Sequence, residues 1–216
     1  MRLLEKIDFS DKDEFFVCGD FLEKGSDSVK LAKFIASTPS IKCILGNHEY
    51  AFLKFYWSIM QSSPDDFDKV LFKLREYFTY GDSLLDWDVV DFLEGLPFYI
   101  ETDDFICVHA GVPLDGDGKI LPLDSALPEQ LVYDRSFKEP SVTVADGNKC
   151  IFFGHTPTIY LTGGRAEILT YLKPTRQGKS ISDYSRIHLD LGTNISGRLG
   201  CFCVETCDCH YVERDK

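Results

Sequence analysis

"FFVCGDFLEKGSDS", Phe15 to Ser28, holds the decision about the fold. An apolar run, Phe15-Phe16-Val17-Cys18, drives straight into Gly19-Asp20, and Glu23, Lys24 and Gly25 follow within five residues. The run has the length and composition of a buried strand, and the glycine marks where it turns out of the core. A strand tip that opens into such a loop is where many folds present reactive side chains. Read alone, the stretch is equally well an acidic helix cap after a strand. The decision rests on whether the layout recurs.

It recurs three more times. "CILGNHE" places Asn47 and His48 after an apolar run and a glycine, "ICVHAG" does the same for His109, and "FFGHT" for His155. Singly, each histidine reads as a hydrogen-bonded structural residue. Four such ends are another matter, because strands that finish at the same sheet edge bring their tips into one crevice. One carboxylate (Asp20), one amide oxygen (Asn47) and two imidazoles (His109, His155) make a mixed nitrogen and oxygen site suited to Mn, Fe or Zn. His48 follows Asn47 directly, so its side chain is free to work on a substrate.

Around these tips the pattern alternates strand and helix, then turns to short strands. "SDSVKLAKFIAS" has helical spacing with Ser26 or Ser28 as the N-cap. Residues from Tyr50 to about Tyr80 read as two helices joined near Ser62-Ser63-Pro64-Asp65, and "DVVDFLEGLP" as another, stopped by Gly95 and Pro97. "FYIET", "FICVHAGV", "KCIFFGHTP" and "RIHLDLG" read as strands, and "GRLGCFCVETCDCHYVER" as a closing hairpin. Met1 to Glu5 resembles the inside of an amphipathic helix. No repeat or linker interrupts the 216 residues, which predicts one layered α/β domain spanning 1–216.

Composition narrows the function. A formal charge of −12 argues against nucleic acid and against an anionic membrane as partners. No apolar run approaches the ~20 residues of a bilayer span, and Met1 to Glu5 do not read as a signal peptide, so none is expected. The expected compartment is the cytoplasm, with its eight cysteines reduced. An anionic substrate would need local positive charge, from a metal or a few basic side chains.

The ordered set "GD-x-x-E-K-G … GNHE … VHAG … GHT" resembles the calcineurin-like metallophosphoesterases, within them the phosphoprotein phosphatases and symmetrical diadenosine tetraphosphatases. The resemblance implies a four-layer αββα sandwich and a two-metal hydrolase of a phosphate monoester or phosphoanhydride. Its substrate would be a phosphorylated protein, nucleotide or small molecule. Carried over by position, Asp20 would bridge two divalent ions, and Asn47, His109 and His155 would complete one ion's shell. His48 would be the general acid with Glu23 supporting its imidazolium, and Lys24 and Arg135, in "LVYDRSF", would hold phosphate oxygens. The rival class is a catalytically impaired relative that binds a phosphorylated ligand or a protein partner.

Two departures stand out. Glu23-Lys24 replaces the commoner Asp-Arg pair, and lysine cannot clamp two oxygens as guanidinium does. The family's opening Asp-x-His motif is not found: nineteen residues precede Asp20, where a strand–helix–strand unit needs roughly 30. The first strand is expected to be missing, and three accounts stay open. The chain is a fragment or has a mis-set start; it is a true short form with one metal or none; or Asp208-Cys209-His210 in the hairpin supplies ligands. The same hairpin carries Cys201, Cys203, Cys207 and Cys209. They share one face if Cys201 lies opposite Cys209, and a one-residue slip divides them. The spacing is C-x-C and not the C-x-x-C of zinc sites, so unmodified, buried thiols are expected. Substrate choice is expected in Asp115–Glu129 and Thr162–Ser182, read as loops.

Overall fold

The computed structural model describes residues 1–22, 25, 27–61, 63, 87–145 and 147–214. Its first strands, β1 (Phe15–Val17) and β2 (Ile41–Cys43), pair in parallel with Phe15 opposite Ile41. Helix α2 (Ser28–Ala36) connects them, α3 (Asn47–Met60) follows β2, and α4 (Trp87–Glu94) comes later in the chain. Val29, Ala32 and Ile35 of α2 bury against Phe52 and Leu53 of α3, Val89, Val90 and Leu93 of α4, and Ile41 and Cys43 of β2. The apolar stripes drawn from the sequence thus form the first helical layer. Asp27, not Ser26 or Ser28, is the N-cap of α2; Ser28 is the first helical residue and donates its hydroxyl to the Gly25 carbonyl. Helix α3 starts at Asn47, three residues earlier than the sequence suggested, because Gly46 caps it. The second helix expected before Tyr80 falls outside the described residues.

A five-stranded sheet follows, built from β3 (Tyr99–Glu101), β4 (Phe105–Val108), β5 (Cys150–Phe153), β6 (Leu169–Leu172) and β7 (Tyr184–His188) in the order β3-β4-β5-β7-β6. β4, β5 and β7 run parallel, with β3 and β6 antiparallel at the edges. Side-chain alternation gives the sheet two apolar faces. Phe105, Cys107 and Phe152 look one way, toward Phe16 of β1, Cys18 just after it, and Phe202 of the hairpin β8 (Arg198–Phe202) and β9 (Cys209–Glu213). Phe16 meets Phe105 at 5.2 Å and Phe152 meets Phe202 at 5.7 Å, ring centre to ring centre. Ile106, Val108, Ile151 and Phe153 look the other way, onto Leu131 and Val132 of α5 (Pro128–Tyr133). Helices, β1–β2 with the hairpin, the large sheet and α5 therefore stack as the expected αββα layers.

Two further expectations change, the loop at Thr162–Ser182 and the full burial of the hairpin thiols, and the register left open by the sequence is decided. Thr162–Ser182 is not all loop: it contains β6, whose alternating half-exposed residues mark an edge strand. In the hairpin Cys201 lies opposite His210 and Phe202 opposite Cys209, the slipped register. Cys209 therefore joins Phe202 on the core side while Cys201 faces with His210, and the four thiols do not share a face. They are half-buried, less deep than expected. A short helix α1 (Arg2–Lys6) lies against this hairpin, Lys6 donating to the Tyr211 carbonyl at 2.6 Å.

A candidate metal centre at the strand tips

β1, β2, β4, β5 and β7 all end toward one crevice, and the chain leaves each through a loop that carries a polar side chain. Two of these loops touch. Gly19 has φ +81°, and a Cβ there would sit 2.4 Å from the Gly46 nitrogen; a Cβ on Gly46 would meet Asp20 Oδ1 at 2.3 Å. Only glycine at both positions lets the loops after β1 and β2 pass this closely. Asp20 itself has φ 59° and His155 φ 69°. Such left-handed geometry at non-glycine residues costs of order 1–3 kcal/mol each and gathers at functional sites.

The side chains meet at a point. Oxygen and nitrogen atoms of Asp20, His109 and His155 all lie within 4.8 Å of one another. His109 Nε2 is 3.3 Å from Asp20 Oδ1. The Asn47 carboxamide stands 2.8 Å from His155 Nδ1 and 2.9 Å from His109 Nε2. The tautomer of His109 follows from its other nitrogen: Nδ1 lies 2.7 Å from the Cys18 carbonyl, which can only accept. Nδ1 therefore carries the proton, and the Nε2 lone pair faces the crevice. Burial lowers the His109 pKa, against the Cys18 carbonyl and the carboxylates of Glu49 and Asp190, which raise it; the ring stays neutral. The result is a carboxylate and two imidazole nitrogens with their lone pairs converging. With its NH2 turned inward, Asn47 can donate to both rings and lies 3.3 Å from each Asp20 oxygen. With its oxygen inward it would be a fourth acceptor, the orientation a cation would select. This donor set suits a divalent ion such as Mn, Fe or Zn.

Comparison with known proteins fits this geometry. The sequence profile of the calcineurin-like phosphoesterase family matches residues 1–178. The chain belongs to that family. Among its relatives are symmetrical bis(5'-nucleosyl)-tetraphosphatases of Shewanella sp. (strain W3-18-1), 29% identical over 146 residues, and of Pasteurella multocida (strain Pm70), 29% identical over 120. These alignments cover 66% and 54% of this chain, and 50% and 40% of the relatives. The chain spans about half the length of the curated relatives it matches. Two solved structures share the fold. One, described as a candidate diadenosine tetraphosphatase, has a TM-score of 0.64 at 18% identity, covering 99% of this chain and 86% of its own. A metallophosphoesterase from Sphaerobacter thermophilus has 0.54 at 14%, covering 99% and 83%.

In this candidate centre Asp20, Asn47, His109 and His155 come together at one point. His48 sits beside them, half-buried, with Nε2 3.7 Å from Asp20 Oδ2 and its backbone N–H directed at Asp20 Oδ1 at 3.3 Å. Glu23 and Lys24 lie outside the described residues. Arg135 is exposed just past α5, and the segment after it is anchored by Arg186, a buried guanidinium that donates to the carbonyls of Phe137 and Glu139. Asp208 and His210 do not join the ligand cluster, the only such group of three or more among the described residues.

Sequence reasoning missed two carboxylates here. Glu49 is fully buried, and its two oxygens accept four backbone N–H groups: Oε2 from Asp20 at 2.8 Å and Gly46 at 2.9 Å, Oε1 from Phe21 at 2.9 Å and Leu22 at 2.8 Å. It caps α3 and pins the Asp20 loop to it. Burial and then the Asp20 carboxylate raise its pKa, opposed by the N–H donors. Asp190, after β7, accepts from Gly192 N at 2.8 Å and packs against Gly154, beside His155. Its stretch, "IHLDLG", repeats the layout of apolar run, polar residue and glycine that marked the other tips.

Proposed function

We propose that this chain is one domain, residues 1–216, that hydrolyses a phosphate monoester or phosphoanhydride with divalent metal. A dinucleoside tetraphosphate is the first substrate class, on the strength of the relatives' activity. The observation that supports it most is the convergence of Asp20, Asn47, His109 and His155 at one crevice. Those four side chains would hold the metal. Bound ions, two in the reading by family and with manganese favoured, would neutralise phosphoryl charge and supply an ionised water.

The chain's own groups do the rest. Glu49 keeps the Asp20 loop in place. His48, beside the Asp20 carboxylate, is positioned to carry a proton and deliver it to the leaving oxygen. Glu23 would support the imidazolium, and Lys24 and Arg135 would take phosphate oxygens. Such a centre brings its own positive charge to an acidic protein, so the net charge of −12 is no obstacle to an anionic substrate. That charge also speaks against nucleic acid and membrane surfaces as partners. Among the described residues no helix is long and apolar enough to cross a membrane. All eight cysteines are free thiols, the state a reducing compartment such as the cytoplasm maintains.

The test is metal content after incubation with Mn²⁺, alongside turnover of p-nitrophenyl phosphate and diadenosine tetraphosphate. Metal-dependent turnover of either, lost in His48→Asn with metal retained, supports the reading. Metal bound at full stoichiometry with no turnover of either would overturn it in favour of a ligand-binding relative.

A further inference from the structure

A groove of about 350 Å³ opens beside the metal centre, lined by Pro113, Glu129, Gln130, Tyr133 and Asp134. We propose that it is a nucleoside subsite, which takes the base and ribose of a substrate whose phosphates lie at the strand tips; this rests on the phosphohydrolase reading above. Tyr133 joins the two regions. Its ring centre is 6.4 Å from that of His155, at 81°, yet the side chain is 39% exposed. An aromatic ring left open to solvent at the edge of an anion-hydrolysing centre offers a stacking face for a planar base. The ring is braced from behind by Tyr50 at 6.3 Å, so little order remains to be gained on binding.

The polar groups of the groove indicate what lies there. Two of its lining residues are carboxylates, which repel phosphate and accept from hydroxyl and amino groups. Both are held in advance. Glu129 Oε1 accepts from the Tyr50 hydroxyl at 3.1 Å and from Lys54 Nζ at 3.2 Å. Asp134 Oδ1 accepts from the Ser136 N–H and hydroxyl, each at 2.7 Å. Among the described residues no hydrogen bond engages the second Asp134 oxygen, Oδ2, which is left to accept from a ligand. Gln130 spends its Oε1 on the Leu127 N–H, which leaves its NH2 as a donor. A ring to stack on, acceptors for an exocyclic amine and ribose hydroxyls, and one amide donor for a ring nitrogen match an adenine-type nucleoside. They do not match a second phosphate group.

Calorimetric titration with adenosine, which carries no phosphate and needs no metal, tests the subsite directly. Wild-type protein should bind it, and Tyr133→Ala should weaken binding by about tenfold, within the range of base–aromatic stacking, while Tyr133→Phe retains it. Glu129→Gln should also weaken it, and ribose 5-phosphate should not compete. The ratio of kcat/KM for diadenosine tetraphosphate to that for p-nitrophenyl phosphate should fall in Tyr133→Ala by a similar factor. No binding of adenosine to wild type, or equal affinity in wild type and both Tyr133→Ala and Glu129→Gln, would overturn the subsite. Tyr133-dependent adenosine binding without turnover of any phosphate substrate would uphold the subsite and sink the hydrolase reading. Turnover with Tyr133-independent binding would do the reverse.

Discussion

The carboxylate of Glu49 accepts the backbone N–H of Asp20 at 2.8 Å, so a fully buried acid on one loop sets the position of a candidate metal ligand on another. Each Glu49 oxygen takes two N–H groups, and no acceptor-only group but a carboxylate can do this from one side chain.

Glu49→Ala leaves four buried donors without their partner and should lower unfolding free energy by at least about 2 kcal/mol. Glu49→Gln should be nearly as harmful, since its NH2 would face two N–H donors. Urea unfolding of metal-free protein measures both. A Gln variant as stable as wild type would mean that the N–H groups find other acceptors.

Gly46→Ala places a methyl 2.3 Å from Asp20 Oδ1 and 2.5 Å from the Asp20 nitrogen. The Asp20 loop has to move away from His109 and Asn47. Metal affinity should drop by more than tenfold, a loss of above about 1.4 kcal/mol, while the circular dichroism spectrum is kept. Unchanged affinity would show that Asp20 is not held where the ligands converge.

How much of this was legible differs by residue. The ligand tips were readable because each needs an apolar strand, a glycine turn and a donor in sequence, three signals within six residues. Glu49 was not, since an acid in the first turn of a helix is ordinary, and only the fold brings the β1 loop onto it. β6 hid because an edge strand that alternates half-buried and exposed residues carries no continuous apolar run. The hairpin register turned on Cys207, whose φ of 60° closes the turn so that the Cys203 N–H donates to the Asp208 carbonyl at 2.8 Å while the Cys203 carbonyl accepts from the Cys207 N–H at 2.9 Å. No local rule assigns that conformation to a cysteine in advance.

His188 is buried and stacked on Phe153 at 4.4 Å, and burial lowers its pKa to about 4. Its folded value lies below its unfolded one, so its share of stability is complete above about pH 6.5, and falls as the pH drops toward 4. The slope is at most about 1.4 kcal/mol per pH unit. His109, also lowered by burial, adds in the same direction. Denaturation midpoints of EDTA-treated protein should fall from pH 7 to pH 5, and less steeply in His188→Phe. Identical slopes in the two proteins would mean that His188 does not stay neutral in the fold.

Arg186 donates to the Phe137 carbonyl and, from both terminal nitrogens, to the Glu139 carbonyl while its guanidinium lies 4.2 Å from the Tyr171 ring centre. Arg186→Lys cannot reproduce that fork and should destabilise by about 1–3 kcal/mol, with the proteolytic susceptibility of the segment after Arg135 rising. A lysine variant with wild-type protease resistance would show that the segment is held by its apolar contacts alone.

Calorimetric titration of Mn²⁺ into EDTA-stripped protein tests the convergence at the strand tips most directly. Wild type should bind at least one ion per chain and gain thermal stability with it. His109→Ala and His155→Ala, each still folded, should each weaken binding by at least about tenfold. The same affinity in all three proteins, or no binding in wild type, would contradict a metal centre built from Asp20, Asn47, His109 and His155.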